Sequence, residues 1–177
     1  MAARRAVPAE VRAFRDATLT ARAVSLVSRG PVCAYLPVGT EPGGPALVDA
    51  LAAQVEVLLP VVPTEPGPLD WARFDGGLAA GPCGLREPTG RRLGPSAIAR
   101  AALVLVPALA ADRAGGRLGR GGGHYDRTLP LADPATPLVA VLDDDELVDW
   151  LPTDAHDWPV TAALLPEAGL VTLGNIG

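Results

Sequence analysis

The chain has 177 residues, 49% apolar and 20% charged, so it can bury a full single-domain core and is not a disordered segment. A net charge of −5 excludes a general nucleic-acid binder, because phosphate backbones reward a basic surface. No apolar run reaches about 18 residues, no hydrophobic signal core follows Met1-Ala2-Ala3-Arg4-Arg5, and Cys33 and Cys83 form no CxxC pair. These features set a cytoplasmic protein without a membrane span, zinc site or disulfide framework as the expectation.

Pro8 to Ser28 reads as a helix, with Pro8 in its first turn, Gly30-Pro31 ending it, and Val11, Phe14, Leu19, Ala23 and Leu26 on one stripe. Val32–Leu36 is a short apolar run bounded by prolines and reads as a buried strand. Pro45–Gln54 reads as a second helix and Val55–Val62 as a second strand, a unit that predicts a parallel sheet. The Pro- and Gly-rich stretch from Pro63 to Gly94 is expected to be irregular or built of short strands, anchored by Trp71 and Phe74. Pro95–Ala101 reads as a short helix, Ala102–Pro107 as the clearest buried strand, and Pro137–Leu142 as another. Two or three short strands fill Leu147–Leu173. The acidic run Asp143-Asp144-Asp145-Glu146 is a solvated turn between strands, and Cys33 a buried thiol. The alternation predicts a mostly parallel sheet flanked by helices, with ligands beyond the loops that follow Leu36, Val62 and Pro107.

Between Asp112 and Arg127 lies a glycine-rich loop, directly after the clearest strand and before a short helix from about His124. Four arginines (Arg113, Arg117, Arg120 and Arg127) face two aspartates, so the loop is locally +2. Glycine backbone and arginine forks suit phosphate. The loop is neither a Walker A motif, for the chain has no Lys, nor a dinucleotide fingerprint. On composition alone, phosphate binding and a flexible surface loop both stay open.

Arg117-Leu118-Gly119-Arg120-Gly121-Gly122-Gly123-His124-Tyr125-Asp126 resembles the R-L-G-x-G-x-G-Y-Y-D signature of 5-formyltetrahydrofolate cyclo-ligases. Leu103–Ala110 is similar to the strand before that signature, Glu87-Pro88 to the family's Glu-Pro pair, and His156-Asp157 to its His-Asp pair. The resemblance spans roughly residues 5 to 173 and implies one domain over 1–177. It implies a three-layer α/β/α sandwich, Rossmann-like, with ATP- and Mg²⁺-dependent cyclisation of 5-formyltetrahydrofolate to 5,10-methenyltetrahydrofolate. By position, Arg117, Leu118, Gly119, Arg120, Gly121, Gly122, Gly123, His124 and Tyr125 would contact ATP. Arg117, Arg120 and Tyr125 would act in catalysis, Glu41 and Tyr125 would bind the folate, and Asp126 and Asp157 would hold Mg²⁺. The implied partners are ATP and the folate, with no nucleic acid or membrane, and the protein acting as a monomer.

The chain departs from the pattern at several points. It begins inside or after a helix that carries nucleotide-contacting Lys and Arg in the family, with Arg4 and Arg5 resembling its end. His124 replaces the first Tyr of Tyr-Tyr-Asp, and Gly43-Gly44 replaces an acidic-Thr element. A non-catalytic nucleotide- or folate-binding paralogue is the alternative these departures raise. Read without the resemblance, Asp126 also suits the first turn of a helix, Asp157 a turn before Trp158-Pro159, Glu41 an ordinary loop, and Glu87-Pro88 a structural turn.

Overall fold

The computed structural model describes residues 7–27 and 29–174. Arg4, Arg5 and Ser28 lie outside the described residues, as does the side chain of Cys83. The chain forms α1 (Ala9–Leu26), β1 (Val32–Cys33), α2 (Leu47–Ala52), β2 (Val57–Val61), β3 (Asp70–Arg73), β4 (Leu78–Ala80) and β5 (Arg86–Pro88). It continues through β6 (Leu103–Pro107), β7 (Ala110–Asp112), β8 (Arg117–Leu118), α3 (His124–Thr128), β9 (Leu138–Val141), β10 (Leu147–Val148), β11 (Ala162–Leu165) and β12 (Gly169–Thr172).

Seven strands make one mixed sheet in the order β12-β11-β9-β6-β1-β2-β3. The five inner strands pair in parallel, and the edge strands β3 and β12 run antiparallel. Parallel strands must be covered on both faces, which explains why β6 and β9 read as unbroken apolar runs. Side chains alternate between two core clusters. Val32, Leu59, Leu105 and Val139 face α1 and α2, packing on Leu19, Ala23, Leu47 and Leu51. Cys33, Leu58, Val104 and Ala140 face the other way, onto Trp71, Ile98 and Leu129. Two small sheets, β10-β7-β8 and β4-β5, stand outside the main one.

Several expectations need adjustment. The helical stripe of α1 is buried only in its second half: Leu19 and Ala23 are covered, whereas Val11 and Phe14 are exposed. An 18-residue helix is about 27 Å long, and Leu19 and Ala23 in its second half are the residues buried in the core on this face. The strand expected over Val32–Leu36 is regular only at Val32–Cys33, with one further bond from the Ala34 amide to the Leu58 carbonyl before the chain leaves the sheet. The stretch Pro95–Arg100 winds as a 3₁₀-helix, so the second face is covered by 3₁₀ turns and the five-residue α3 rather than by long helices. The acidic run is a 3₁₀ turn closed by a capping box between Asp143 and Glu146. Among the described residues no helix is long and apolar enough to cross a membrane.

The order of strands also fixes where a ligand fits. From β1 the chain proceeds to β2 on one side, while β6, β9 and β11 build outward on the other. The loops after β1 and β6 therefore diverge in opposite directions and leave a crevice at the carboxyl ends of the strands.

Candidate active site

That crevice is a cleft of about 950 Å³. All three loops expected to face a ligand contribute to it, through Leu36 and Glu41, Val62, and Ala108 with the glycine-rich segment. Every residue from Arg117 to Arg127 lines it, and so do His156 and Asp157.

The glycine-rich segment is not one continuous loop. Its first part is a hairpin of β7 and β8, registered by Ala110 opposite Leu118 and Ala111 opposite Arg117. Asp112, 3% exposed, fastens the turn: Oδ1 accepts the amides of Ala114 and Gly116, and Oδ2 accepts that of Leu151. Gly115 must be glycine, since at φ +96° an added Cβ would lie 2.6 Å from the carbonyl oxygen of Val160. Beyond β8, the amides of residues 119–123 donate to no acceptor among the described residues. Gly123, at φ +62°, occupies the left-handed region at the N-cap of α3. The tip thus presents unused backbone donors to the cleft.

Arg117 is almost wholly buried, with its side chain 4% exposed. Its Nη2 donates to Asp126 Oδ1 at 2.6 Å, and its guanidinium carbon lies 5.7 Å from the Tyr125 ring centroid. Arg117 Nε and Tyr125 Oη are buried and have no hydrogen-bond partner among the described residues. Unpaired buried donors at a cleft wall are costly and call for an acceptor from a ligand or water. Burial pushes the Tyr125 hydroxyl above its ordinary range, opposed by Arg117, so it stays protonated and a donor at neutral pH. Burial raises the Cys33 thiol likewise and leaves it an inert core group.

Glu41 sits on the loop after β1. Asp16 Oδ1 accepts the Gly43 amide at 3.0 Å, Thr20 Oγ1 donates to the Gly43 carbonyl, and Tyr35 Oη donates to the Pro42 carbonyl at 2.6 Å. Helix α1 thus holds this loop over the strand ends. Glu41 Oε2 accepts the Val38 amide, and Oε1 meets Arg120 Nη2 at 2.7 Å. The residue expected at the folate and one expected at the phosphates are paired with each other. His124 Nδ1 donates to the Gly67 carbonyl at 3.2 Å, which Arg127 Nε also reaches; this assigns the proton to Nδ1. Arg113 instead pairs with exposed Asp149 and does not line the cleft.

Asp126 and Asp157 face the same cleft. Besides Arg117, Asp126 Oδ1 accepts the Trp158 amide at 3.3 Å, and Asp157 Oδ2 accepts the Asp154 amide. The other oxygen of each carboxylate has no partner among the described residues. No cluster of three or more His, Cys, Asp or Glu suited to a metal occurs among the described residues. Two available carboxylate oxygens fit Mg²⁺, which takes one or two carboxylates and completes its shell with phosphate oxygens and water. Glu87 also lines the cleft, accepting the Val62 amide at 2.8 Å with Arg92 3.7 Å away. Leu69 belongs to the loop after Val62 that was expected to face a ligand; Leu85 and Arg86 extend that wall from the Pro63–Gly94 stretch, where Glu87-Pro88 was the sequence signal.

The model of the 5-formyltetrahydrofolate cyclo-ligase family matches residues 1–166. The chain belongs to that family. Within the cyclo-ligase family, it is 45% identical to the 5-formyltetrahydrofolate cyclo-ligase of Mycolicibacterium smegmatis over 177 residues, covering 96% of this chain and 91% of that one. A shorter match, 39% identical over 71 residues, links it to the cyclo-ligase of Escherichia coli K12, covering 40% of this chain and 39% of that one. The NMR structure of Aquifex aeolicus 5,10-methenyltetrahydrofolate synthetase superposes with a TM-score of 0.79 at 26% identity, over 98% of this chain and 88% of that one. The synthetase structure from Mycoplasma pneumoniae, at 17% identity and a TM-score of 0.70 over 90% of each chain, shares the fold.

Proposed function

We propose that this cyclo-ligase family member uses ATP and Mg²⁺ to convert 5-formyltetrahydrofolate to 5,10-methenyltetrahydrofolate. The observation that carries the reading is the meeting, in one cleft, of a tip of unused amides and buried unpaired donors with the carboxylate of Glu41. One side suits a triphosphate, the other the N–H edge of a pterin.

A formyl oxygen is a poor leaving group. Transfer of the γ-phosphoryl group to it breaks the bond to the β–γ bridging oxygen and releases ADP. The neighbouring folate nitrogen then attacks the activated carbon and loses its proton, and inorganic phosphate carries the former formyl oxygen away. Such transfer demands alignment and charge neutralisation more than covalent help. Arg117 and Arg120 neutralise phosphate oxygens. Leu118 and His124 flank amides of Gly119, Gly121, Gly122 and Gly123 that cradle the chain of phosphates. The protonated Tyr125 hydroxyl donates to the formyl or transferring oxygen. Asp126 and Asp157 would hold Mg²⁺, which supplies charge compensation to the triphosphate when bound. Glu41 orients the pterin.

We assign the protein to the cytoplasm as a monomeric catalytic unit, without nucleic-acid or membrane partners; the net charge of −5 supports the absence of a nucleic-acid partner. The shared sheet with a core on each face supports a single domain of three layers, a Rossmann-like α/β/α sandwich with one layer reduced to short turns.

The test is direct. Purified protein with ATP, Mg²⁺ and 5-formyltetrahydrofolate should yield the methenyl chromophore, and Arg117→Ala should raise the apparent KM for ATP. Binding of both ligands without chromophore or substrate-dependent ATP consumption would overturn the reading in favour of a non-catalytic paralogue.

A further inference from the structure

We propose that the Glu41–Arg120 ion pair is a latch across the cleft, which makes nucleotide and folate bind cooperatively because both must open the same contact. The inference rests on the reading above and adds to it a coupling between the two ligands.

The pair joins two separately held loops. Glu41 belongs to the loop after β1, tied to α1 through Asp16 and Thr20; Arg120 belongs to the glycine-rich tip beyond β8. Those loops diverge from neighbouring strands at the point where the sheet order reverses, so the 2.7 Å contact closes the cleft between them. The other cleft arginine behaves differently. Arg117 pairs with Asp126, nine residues on in the same segment, so that contact does not bridge the two loops, whereas Glu41 is the carboxylate paired with Arg120 among the described residues.

The two partners are unequal. Arg120 is 46% exposed and Glu41 only 13%. A triphosphate draws Arg120 readily, since its side chain is already half in solvent. Glu41 cannot follow, because Val38 fixes Oε2 and the loop is pinned on both sides. Its Oε1 is then shielded from water with no donor, a state that carries a desolvation penalty. A ligand with adjacent N–H groups removes that penalty. The edge of an aminopyrimidinone ring, as in a pterin, has this pattern. The first ligand bears the cost of opening the pair and the second finds it open. By linkage the effect is the same in either order. An exposed rim pair would give no such coupling; the burial of Glu41 distinguishes this one.

Calorimetry on the full chain, with a non-hydrolysable ATP analogue, Mg²⁺ and 5-formyltetrahydrofolate, reads the coupling without turnover. Saturating analogue should tighten folate binding about tenfold, and saturating folate should tighten analogue binding by the same factor. Glu41→Gln should bind the analogue alone about threefold or more tighter than the parent, with the coupling reduced toward one. Arg120→Gln is the mirror test, with tighter folate binding alone and the same loss of coupling, should Glu41→Gln fail to fold. A coupling factor of one in the parent protein overturns the latch. So does a folded Glu41→Gln that binds the analogue no more tightly. If both ligands bind and react but independently, only the latch falls; if neither binds, the proposed function falls with it.

Discussion

Asp126→Asn isolates the electrostatic core of the site. Asparagine keeps the shape and can still accept the Trp158 amide, but it removes the charge 2.6 Å from Arg117 Nη2. Arg117 is 4% exposed and already has Nε unpaired, so the substitution leaves a buried guanidinium without a counter-ion. Removing one partner of a buried pair costs about 3–5 kcal/mol. Asp126 is 21% exposed, and water at its outer oxygen argues for the lower end, about 3 kcal/mol. For a domain of this size that lowers Tm by about 6–12 °C. Thermal melts followed by circular dichroism would measure it. A saturating non-hydrolysable nucleotide should recover part of the loss, because phosphate oxygens take the place of the missing carboxylate. Asp149→Asn, which removes the counter-ion of exposed Arg113, serves as the control and should leave Tm unchanged. An Asp126→Asn melt coincident with the parent would refute the idea that Arg117 depends on this carboxylate.

Gly115→Ala should lower the urea midpoint by the equivalent of about 2 kcal/mol or more, from the left-handed φ and the approach to Val160; an unchanged midpoint would count against that contact. Burial raises the Tyr125 hydroxyl above its ordinary 10.0, so its contribution to stability is complete below about pH 10 and is lost as pH rises further. Tyr125→Phe should therefore lose less stability than the parent between about pH 10 and 11 in urea titrations. The decline beginning near pH 9 should persist, because it belongs to Cys33, whose thiol is also raised from 9.0. Parallel curves for the two proteins above pH 10 would show that the Tyr125 hydroxyl ionises freely.

Much of the fold was legible because parallel strands buried on both faces leave uninterrupted apolar runs. Val104–Val106 and Val139–Val141 could be read directly, and the placement of the cleft followed from the strand–helix alternation. What stayed hidden depended on tertiary contacts. The hairpin inside the glycine-rich segment has strands of only three and two residues, too short for alternation to register, and Asp112, which shapes its turn through two local amides, also ties it to the Leu151 amide 39 residues away. Phe14 and Val11 carried the right period for a buried stripe, but periodicity cannot say how far the sheet extends beneath a helix. The motif brought the residues of the site to notice without revealing their free-state partners. Nothing local to Glu41 signals that its side chain meets Arg120, 79 positions later, and nothing near Gly67 signals that its carbonyl receives His124 and Arg127.

The fastening of the hairpin by Asp112 has a consequence for how this segment tolerates change. The three amides gathered by that carboxylate all lie on the side of β8 remote from the glycine tip. The bonds that shape the root are therefore separate from those of the tip, and substitutions at residues 119–122 leave the three amide contacts of Asp112 in place. Directed variation of phosphate affinity belongs in that window, with position 112 left untouched.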